Sequence, residues 1–201
     1  MLGSVSAEDS ANPHVLFDGT GLDGWQSNDE TLGVFKILKD GTLQVKGGRA
    51  HLFWIGKEGV PAEFGNFVFR AEIKTMPGAN SGIFFHTKFQ QNGWPQWGLE
   101  AQINSTHKDA RKTGSIYAIK DVLSPSPNID GEWFEYVIRV EANTVTVFVD
   151  GVVVNRYEEP QLQKLSDESP HIRVGRGTFA LQAHDPMSKV FFRDISVLVL
   201  D

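Results

Sequence analysis

The chain has no cysteine among its 201 residues, so it can form neither a disulfide nor a thiolate metal site. It also lacks any run approaching the roughly 20 apolar residues that a membrane-spanning helix requires. Positive charge is in short supply: the formal net charge is −6, and phosphate backbones call for a basic face, so a nucleic-acid partner is not expected. Familiar catalytic signatures are missing too. There is no H-E-x-x-H pair, no G-x-S-x-G elbow and no P-loop. Gly175-Arg176-Gly177 lacks the third glycine and following helix of a dinucleotide fingerprint, and no cofactor is expected.

What the chain does have is length and aromatic side chains. A sequence of 201 residues suits a single domain, and at that size folding buries roughly 70% of the unfolded surface. Aromatics make up 11% of it, with 14 Phe and 5 Trp, which reads as the core of a β-sandwich. Residues 1–13 are polar and small and are expected to form a flexible segment ahead of one domain over 14–201. Within that segment, Val5-Ser6-Ala7 before Glu8 has the small-residue pattern of a signal-peptidase site. An exported protein with its leader removed is therefore expected, with a cytoplasmic location as the alternative.

β-branched and aromatic runs punctuated by Gly, Pro, Asn and Asp recur along the sequence. They predict strands at Phe67–Thr75, Ser81–Lys88, Gly98–Asn104, Gly114–Lys120, Trp133–Glu141, Thr144–Asp150, Val152–Tyr157, Gly177–His184 and Lys189–Leu198. Val34–Leu38 and Thr42–Lys46 are joined by Asp40-Gly41, and Asp150-Gly151 marks a second hairpin. A short helix is expected near Gln161–Lys164. No window sustains a 3.6-residue apolar period, and parallel sheets need crossover helices, so the expected fold is an all-β antiparallel sandwich of two sheets.

Side chains two apart on a strand share a face. Phe67, Phe69, Ala71 and Ile73 form one apolar row, which puts Arg70, Glu72 and Lys74 on the opposite face. Leu99, Ala101 and Ile103 likewise oppose Glu100, Gln102 and Asn104. Phe84 and His86 are expected on one side of their strand, and Ala180, Gln182 and His184 on one side of theirs. If these strands are neighbours, they build one polar sheet face rich in planar hydrogen-bonding groups, suited to sugar hydroxyls. An ordinary solvated face is the alternative.

Several segments, in order along the chain, resemble the 3-keto-disaccharide hydrolase family (the DUF1080 family). Leu16-Phe17-Asp18-Gly19 with Leu22-Asp23-Gly24-Trp25 looks like its opening motif, and Gly78–Phe85 is similar to its NSG-containing strand pair. Gly98-Leu99-Glu100-Ala101-Gln102-Ile103 resembles its G-x-E-x-Q-I strand. Gly131-Glu132-Trp133 opens a hairpin ending at Val149-Asp150-Gly151, and Leu181–His184 with Phe192–Ile195 looks like the closing pair. The resemblance implies a concanavalin A-like jelly roll and cleavage of glycosides already oxidised at C3. The chain departs from many members after the Q-I pair, where Asn104-Ser105-Thr106-His107 replaces an acidic residue and opens a loop carrying Lys108, Asp109, Arg111 and Lys112.

A C3 ketone acidifies the C2 hydrogen, so elimination of the C1 substituent followed by hydration needs a base, an acid and an electrophile at the ketone. Glu100, His86 and His184 are the candidates for proton transfer, with His184 as base and Glu100 as its partner or the acid. Arg70 or Lys120 is expected to polarise the ketone. Gln102, Glu72 and Tyr117 are expected to contact sugar hydroxyls, and Trp94 and Trp97 to stack on a pyranose face. Whether a metal binds is open, since His86, Glu100, Gln102 and His184 offer N and O ligands. A separate sugar 3-dehydrogenase would supply the oxidised substrate. Two other readings stand beside this one: a non-catalytic carbohydrate-binding module, and an endo-glycosidase using Glu72 and Glu100 as a carboxylate pair.

Overall fold

The structure, a computed structural model, describes residues 12–28, 30–160 and 173–201. Most of the 1–13 segment and the short helix expected at 161–164 lie outside the described residues. Within them the fold is all β, with no helix. In chain order the strands are β1 (His14–Phe17), β2 (Trp25–Ser27), β3 (Phe35–Ile37), β4 (Leu43–Lys46), β5 (Ala50–Trp54), β6 (Phe67–Thr75) and β7 (Asn80–Thr87). They continue with β8 (Leu99–Asn104), β9 (Trp133–Glu141), β10 (Thr144–Val149), β11 (Val152–Glu158), β12 (Thr178–Ala183) and β13 (Lys189–Val199).

Two antiparallel sheets result. The larger has the order β11-β10-β9-β6-β13-β4-β3, with β1 also paired to β13, and the smaller runs β2-β5-β12-β7-β8. The tight turns follow their residues: Asp150 and Gly151 both have positive φ (50° and 75°), the geometry a two-residue hairpin between right-twisted strands demands.

The core lies where the apolar rows of the two sheets meet. Phe67 and Phe69 of β6 pack against Phe179 of β12, with ring centroids 4.9 and 4.8 Å apart, and Phe67 also meets Phe85 of β7 at 6.0 Å. All four rings are fully buried, and each burial contributes about 1.5–3 kcal/mol of transfer free energy. Leu99, Ala101 and Ile103 enter the same core, as their alternation predicts.

Two expectations about elements are corrected, and one omission is explained. Gly114–Lys120 is not a strand; it makes isolated bridges through Ile116 and turns at Ala118, whose φ is 58°. β5 escaped notice because the sequence AHLFW is buried at every position and so has no polar alternation to betray it. Most consequential, β6 pairs with β9 and β13 in the larger sheet, not with β8. The Arg70–Glu72–Lys74 row and the Glu100–Gln102–Asn104 row therefore belong to different sheets and do not form one polar face.

Candidate active site

The pairing of β5, β12, β7 and β8 assembles a polar patch on the outer face of the smaller sheet. Gln182 is the Cα partner of His51, Gly82 of Gln102, Phe84 of Glu100 and Asn80 of Asn104. This is not a wet face: His51, Asn80, Gln102, Asn104 and Gln182 are all buried, because the segments after β7 and β8 fold across it. Between sheet and segments lies a cavity of about 550 Å³. Asn80, Phe84, Glu100, Gln102 and Gln182 form its sheet side. Trp94 and Pro95 contribute from the segment before β8, and Tyr117, Ala118 and Ile119 from the segment after it; His184 completes the lining just beyond β12.

Glu100 lies against the sheet because residue 82 is glycine. A Cβ at that position would stand 2.9 Å from Cδ and Cγ of Glu100 and closer still to Oε1. Backbone conformation does not require this glycine; space for the carboxyl does. Burial pushes the Glu100 carboxyl up to about 8, against the lowering effect of the Gln182 amide and helped by the negative charge of Asp109. Gln182 donates through Nε2 to Glu100 Oε1 at 2.8 Å. Gln102 donates through Nε2 to Asn80 Oδ1 at 3.2 Å, and with its amide turned over it donates instead to Glu100 Oε1 at 3.2 Å and to Ser81 O at 3.1 Å. Gln182 occupies Oε1 and leaves Oε2 to carry the proton; because burial outweighs that amide, Glu100 is predominantly neutral at pH 7.

His184 is held differently. Its Nδ1 lies 2.9 Å from Asp185 Oδ2. Although burial opposes ionisation of Asp185, hydrogen bonds from Ser188 Oγ, His184 and the amides of Met187 and Ser188 outweigh it and bring the carboxyl down to about 2. An ionised Asp185 selects the tautomer with hydrogen on Nδ1, so Nε2 carries the lone pair of a base. The Trp94 ring lies 5.3 Å from the His184 ring at 38°, fixing its other face.

The expected site residues thus divide. Glu100, His184, Gln102, Tyr117 and Trp94 all line the cavity. His86 does not. The β7–β12 register shifts between Thr178 and Ala180, and His86 adopts φ 55°, which breaks the alternation that would have placed it beside Phe84. Its ring packs on Phe67 and Phe85, accepting from Gly175 N–H at Nδ1 (2.9 Å) and donating from Nε2 to Gly65 O (2.8 Å). It is a neutral structural clamp whose pKa burial lowers.

Arg70 and Glu72 belong to the larger sheet and pair with Glu135 (3.3 Å) and Arg193 (3.5 Å). Lys120 is outside the lining and donates from Nζ to Arg156 O at 2.6 Å. Trp97 is also outside, beneath the Lys88 ammonium at 3.9 Å.

Sequence reasoning singled out no role for Asn80, Phe84, Gln182, Asp185, His107 or His51, all at or beside the cavity. Gln182 was legible as a polar residue on a core strand, two positions before His184. His107 packs 5.7 Å from His184, accepts from Asp109 N–H at Nδ1 (3.2 Å), and has its pKa lowered first by burial and then by His184. His107, His184 and Asp185 present ligand atoms within 4.8 Å of one another and can hold a metal ion. Of the four residues that the sequence offered as N and O ligands without deciding whether a metal binds, only His184 is in this group.

The relatives agree with this architecture. A candidate glycosyl hydrolase from Parabacteroides distasonis superposes with a TM-score of 0.77 at 20% identity, covering 98% of this chain and 99% of that one. Bacillus licheniformis β-glucanase aligns with a TM-score of 0.60 at 11% identity over 96% and 100% of the two chains. The carbohydrate binding module CBM66 from Bacillus subtilis gives 0.56 at 11%, over 87% and 95%. At these identities the likeness is one of fold, a concanavalin A-like jelly roll. No curated protein sequence matches the chain. Residues 12–198 match the 3-keto-alpha-glucoside-1,2-lyase-like domain, and the chain belongs to that family.

Proposed function

We propose that the protein cleaves 3-keto-glycosides by elimination, with His184 as base and Glu100 as acid. The observation that carries this is the pairing, in one cavity, of an Asp185-backed imidazole with a carboxyl kept neutral at pH 7. His184 Nε2 takes the C2 hydrogen as a proton, and the electron pair it leaves delocalises into the C3 carbonyl as an enolate. Collapse of the enolate forms the C1–C2 double bond and breaks the C1–O bond, and the departing oxygen takes the proton from Glu100. Addition of water across the double bond then gives the free 3-keto sugar. The Tyr117 hydroxyl and the Asn80 amide are neutral donors in the lining suited to the ketone oxygen, whereas Arg70 is on the other sheet and Lys120 is outside the lining. Burial raises the Tyr117 pKa and keeps that hydroxyl protonated.

The paired-carboxylate alternative loses its footing. Glu72 is on the other sheet, and Glu100 is the one acidic side chain among the described lining residues. The binding-module reading keeps one observation in its favour: Trp94 is 42% exposed at the cavity, as a sugar-stacking platform would be. Because elimination demands a ketone, a separate dehydrogenase is the class of enzyme that would supply the substrate.

Release of glucose and its 3-keto counterpart from 3-keto-trehalose, with unmodified trehalose as control, tests the proposal. Cleavage of the keto sugar alone, reduced about 10²–10⁴-fold in His184→Ala and Glu100→Gln, is expected. Binding of both sugars with cleavage of neither would replace the enzyme with a binding module.

A further inference from the structure

Among the described residues, three buried polar atoms at the sheet side of the cavity have no hydrogen-bond partner, and they belong to two adjacent residues. Both ring nitrogens of His51 and Oε1 of Gln182 are in this condition, although His51 is fully buried and Gln182 nearly so. The two are Cα partners across the β5–β12 ladder, so their side chains leave the same face with Cβ atoms about 5 Å apart. A buried polar group without a partner is destabilising, and three together in one corner are unlike the rest of this site, where Glu100, Gln102, Asn104 and Asp185 are all bonded.

We propose that His51 and the Gln182 amide oxygen form a hydroxyl-binding subsite at the inner end of the cavity, which takes a hydroxyl of the sugar. This rests on the carbohydrate reading above. A neutral imidazole offers one N–H donor and one acceptor nitrogen, and the amide oxygen offers an acceptor. Burial holds His51 at about 4, so the ring is neutral at physiological pH. A hydroxyl both donates and accepts, so it can take the His51 N–H while giving its own hydrogen to Gln182. A carboxylate would find only one donor here, and an ammonium, which cannot accept, would leave the His51 N–H without a partner. Gln182 simultaneously donates to Glu100 from its other amide atom, so filling the subsite tightens the residue that orients the acid.

His51 is screened from the cavity by two rings that line it, Phe84 at 5.5 Å and Trp94 at 5.6 Å. Of these, Trp94 is the one able to yield. Phe84 is buried within β7, whereas Trp94 is 42% exposed on a segment folded on itself through Gln90. That segment is tied to the body by the Gly93 N–H on Glu30 (3.0 Å) and by Arg49 over the Trp94 ring. A sugar hydroxyl reaches His51 by displacing the Trp94 ring.

The test reads the imidazole ¹⁵N resonances of His51 in the wild-type protein, before and after saturation with trehalose and with 3-keto-trehalose. It is joined by the affinity and melting temperature of His51→Phe, which keeps an aromatic ring while removing both nitrogens. The expected result is a shift of the His51 ring nitrogens on binding, and at least a tenfold weaker sugar affinity in His51→Phe with a melting temperature equal to or above wild type. Sugar binding that shifts His184 but leaves His51 unmoved, with affinity unchanged in His51→Phe, would overturn the subsite alone. Binding that shifts His51 without any cleavage would support the subsite while overturning the lyase reading. No binding of either sugar would overturn both.

Discussion

The acid role proposed for Glu100 depends on what surrounds the residue rather than on what it is. The carboxyl lies over Gly82 between two glutamine amides, and burial favours its neutral form. Gly82→Ala is the smallest change that disturbs this, since a methyl group would occupy the space of the carboxyl. We expect Gly82→Ala to fold, to lose about 10²-fold or more in kcat, and to move the Glu100 titration, read by carbonyl infrared absorption, toward the ordinary carboxylate range. An unchanged Glu100 titration in the variant would show that the glycine does not seat the acid. On the base side, Asp185→Asn removes the charge that selects the His184 tautomer. A fall in kcat of at least about 10²-fold with little change in KM is expected from steady-state kinetics.

At the scale of elements, the division of polar rows between the two sheets decides what matters. Arg70→Ala and Glu72→Ala break exposed ion pairs on the larger sheet, where such pairs are worth about 0–1 kcal/mol. Both variants should retain wild-type kcat/KM and melt within a few degrees of wild type. His86→Leu removes a clamp between Gly65 and Gly175 and should cost about 1–3 kcal/mol in chemical denaturation while sparing kcat. A large loss of kcat in a folded His86→Leu would return that histidine to the chemistry.

These same elements show how far the sequence could be read. Alternation revealed the inward rows of β6 and β8, and with them the side on which Glu100 and Gln102 must lie. It could not reveal which strands are neighbours, because pairing between distant segments leaves no local periodicity, and Arg70 and Glu72 were drawn into the site for that reason. His86 was misplaced by a bulge, which turns a side chain without altering the residue pattern. His51 was invisible because β5 is buried throughout. Tyr117 does line the cavity, but from a segment taken for a strand that is instead a turn folded over it.

Across the whole molecule, the two most perturbed groups of the site tie stability to pH in opposite directions. Glu100 is raised from 4.5 to about 8 in the folded state. Its contribution is complete below pH 4.5 and is lost as pH rises through 8, because the unfolded chain releases the proton first. His51 is lowered from 6.5 to about 4. Its unfolded form gains a proton below pH 6.5 that the folded form refuses, so stability is lost as pH falls through that window. Between 4.5 and 6.5 the two slopes oppose each other, and above 6.5 only the loss from Glu100 remains. Melting temperature should therefore fall from pH 6.5 to 8 in the wild type and stay flatter in Glu100→Gln, as calorimetry at several pH values would show.

Proton removal from C2 by His184 ahead of C1–O cleavage is the central step of the proposed reaction. Incubating the wild-type protein with 3-keto-trehalose and with trehalose in deuterated water, followed by mass spectrometry and NMR, tests it most directly. Cleavage of the keto sugar alone, with deuterium at C2 of the released 3-keto product and neither event in His184→Ala, is the predicted result. Cleavage of unmodified trehalose, or release of the keto sugar with its C2 hydrogen retained, would contradict it.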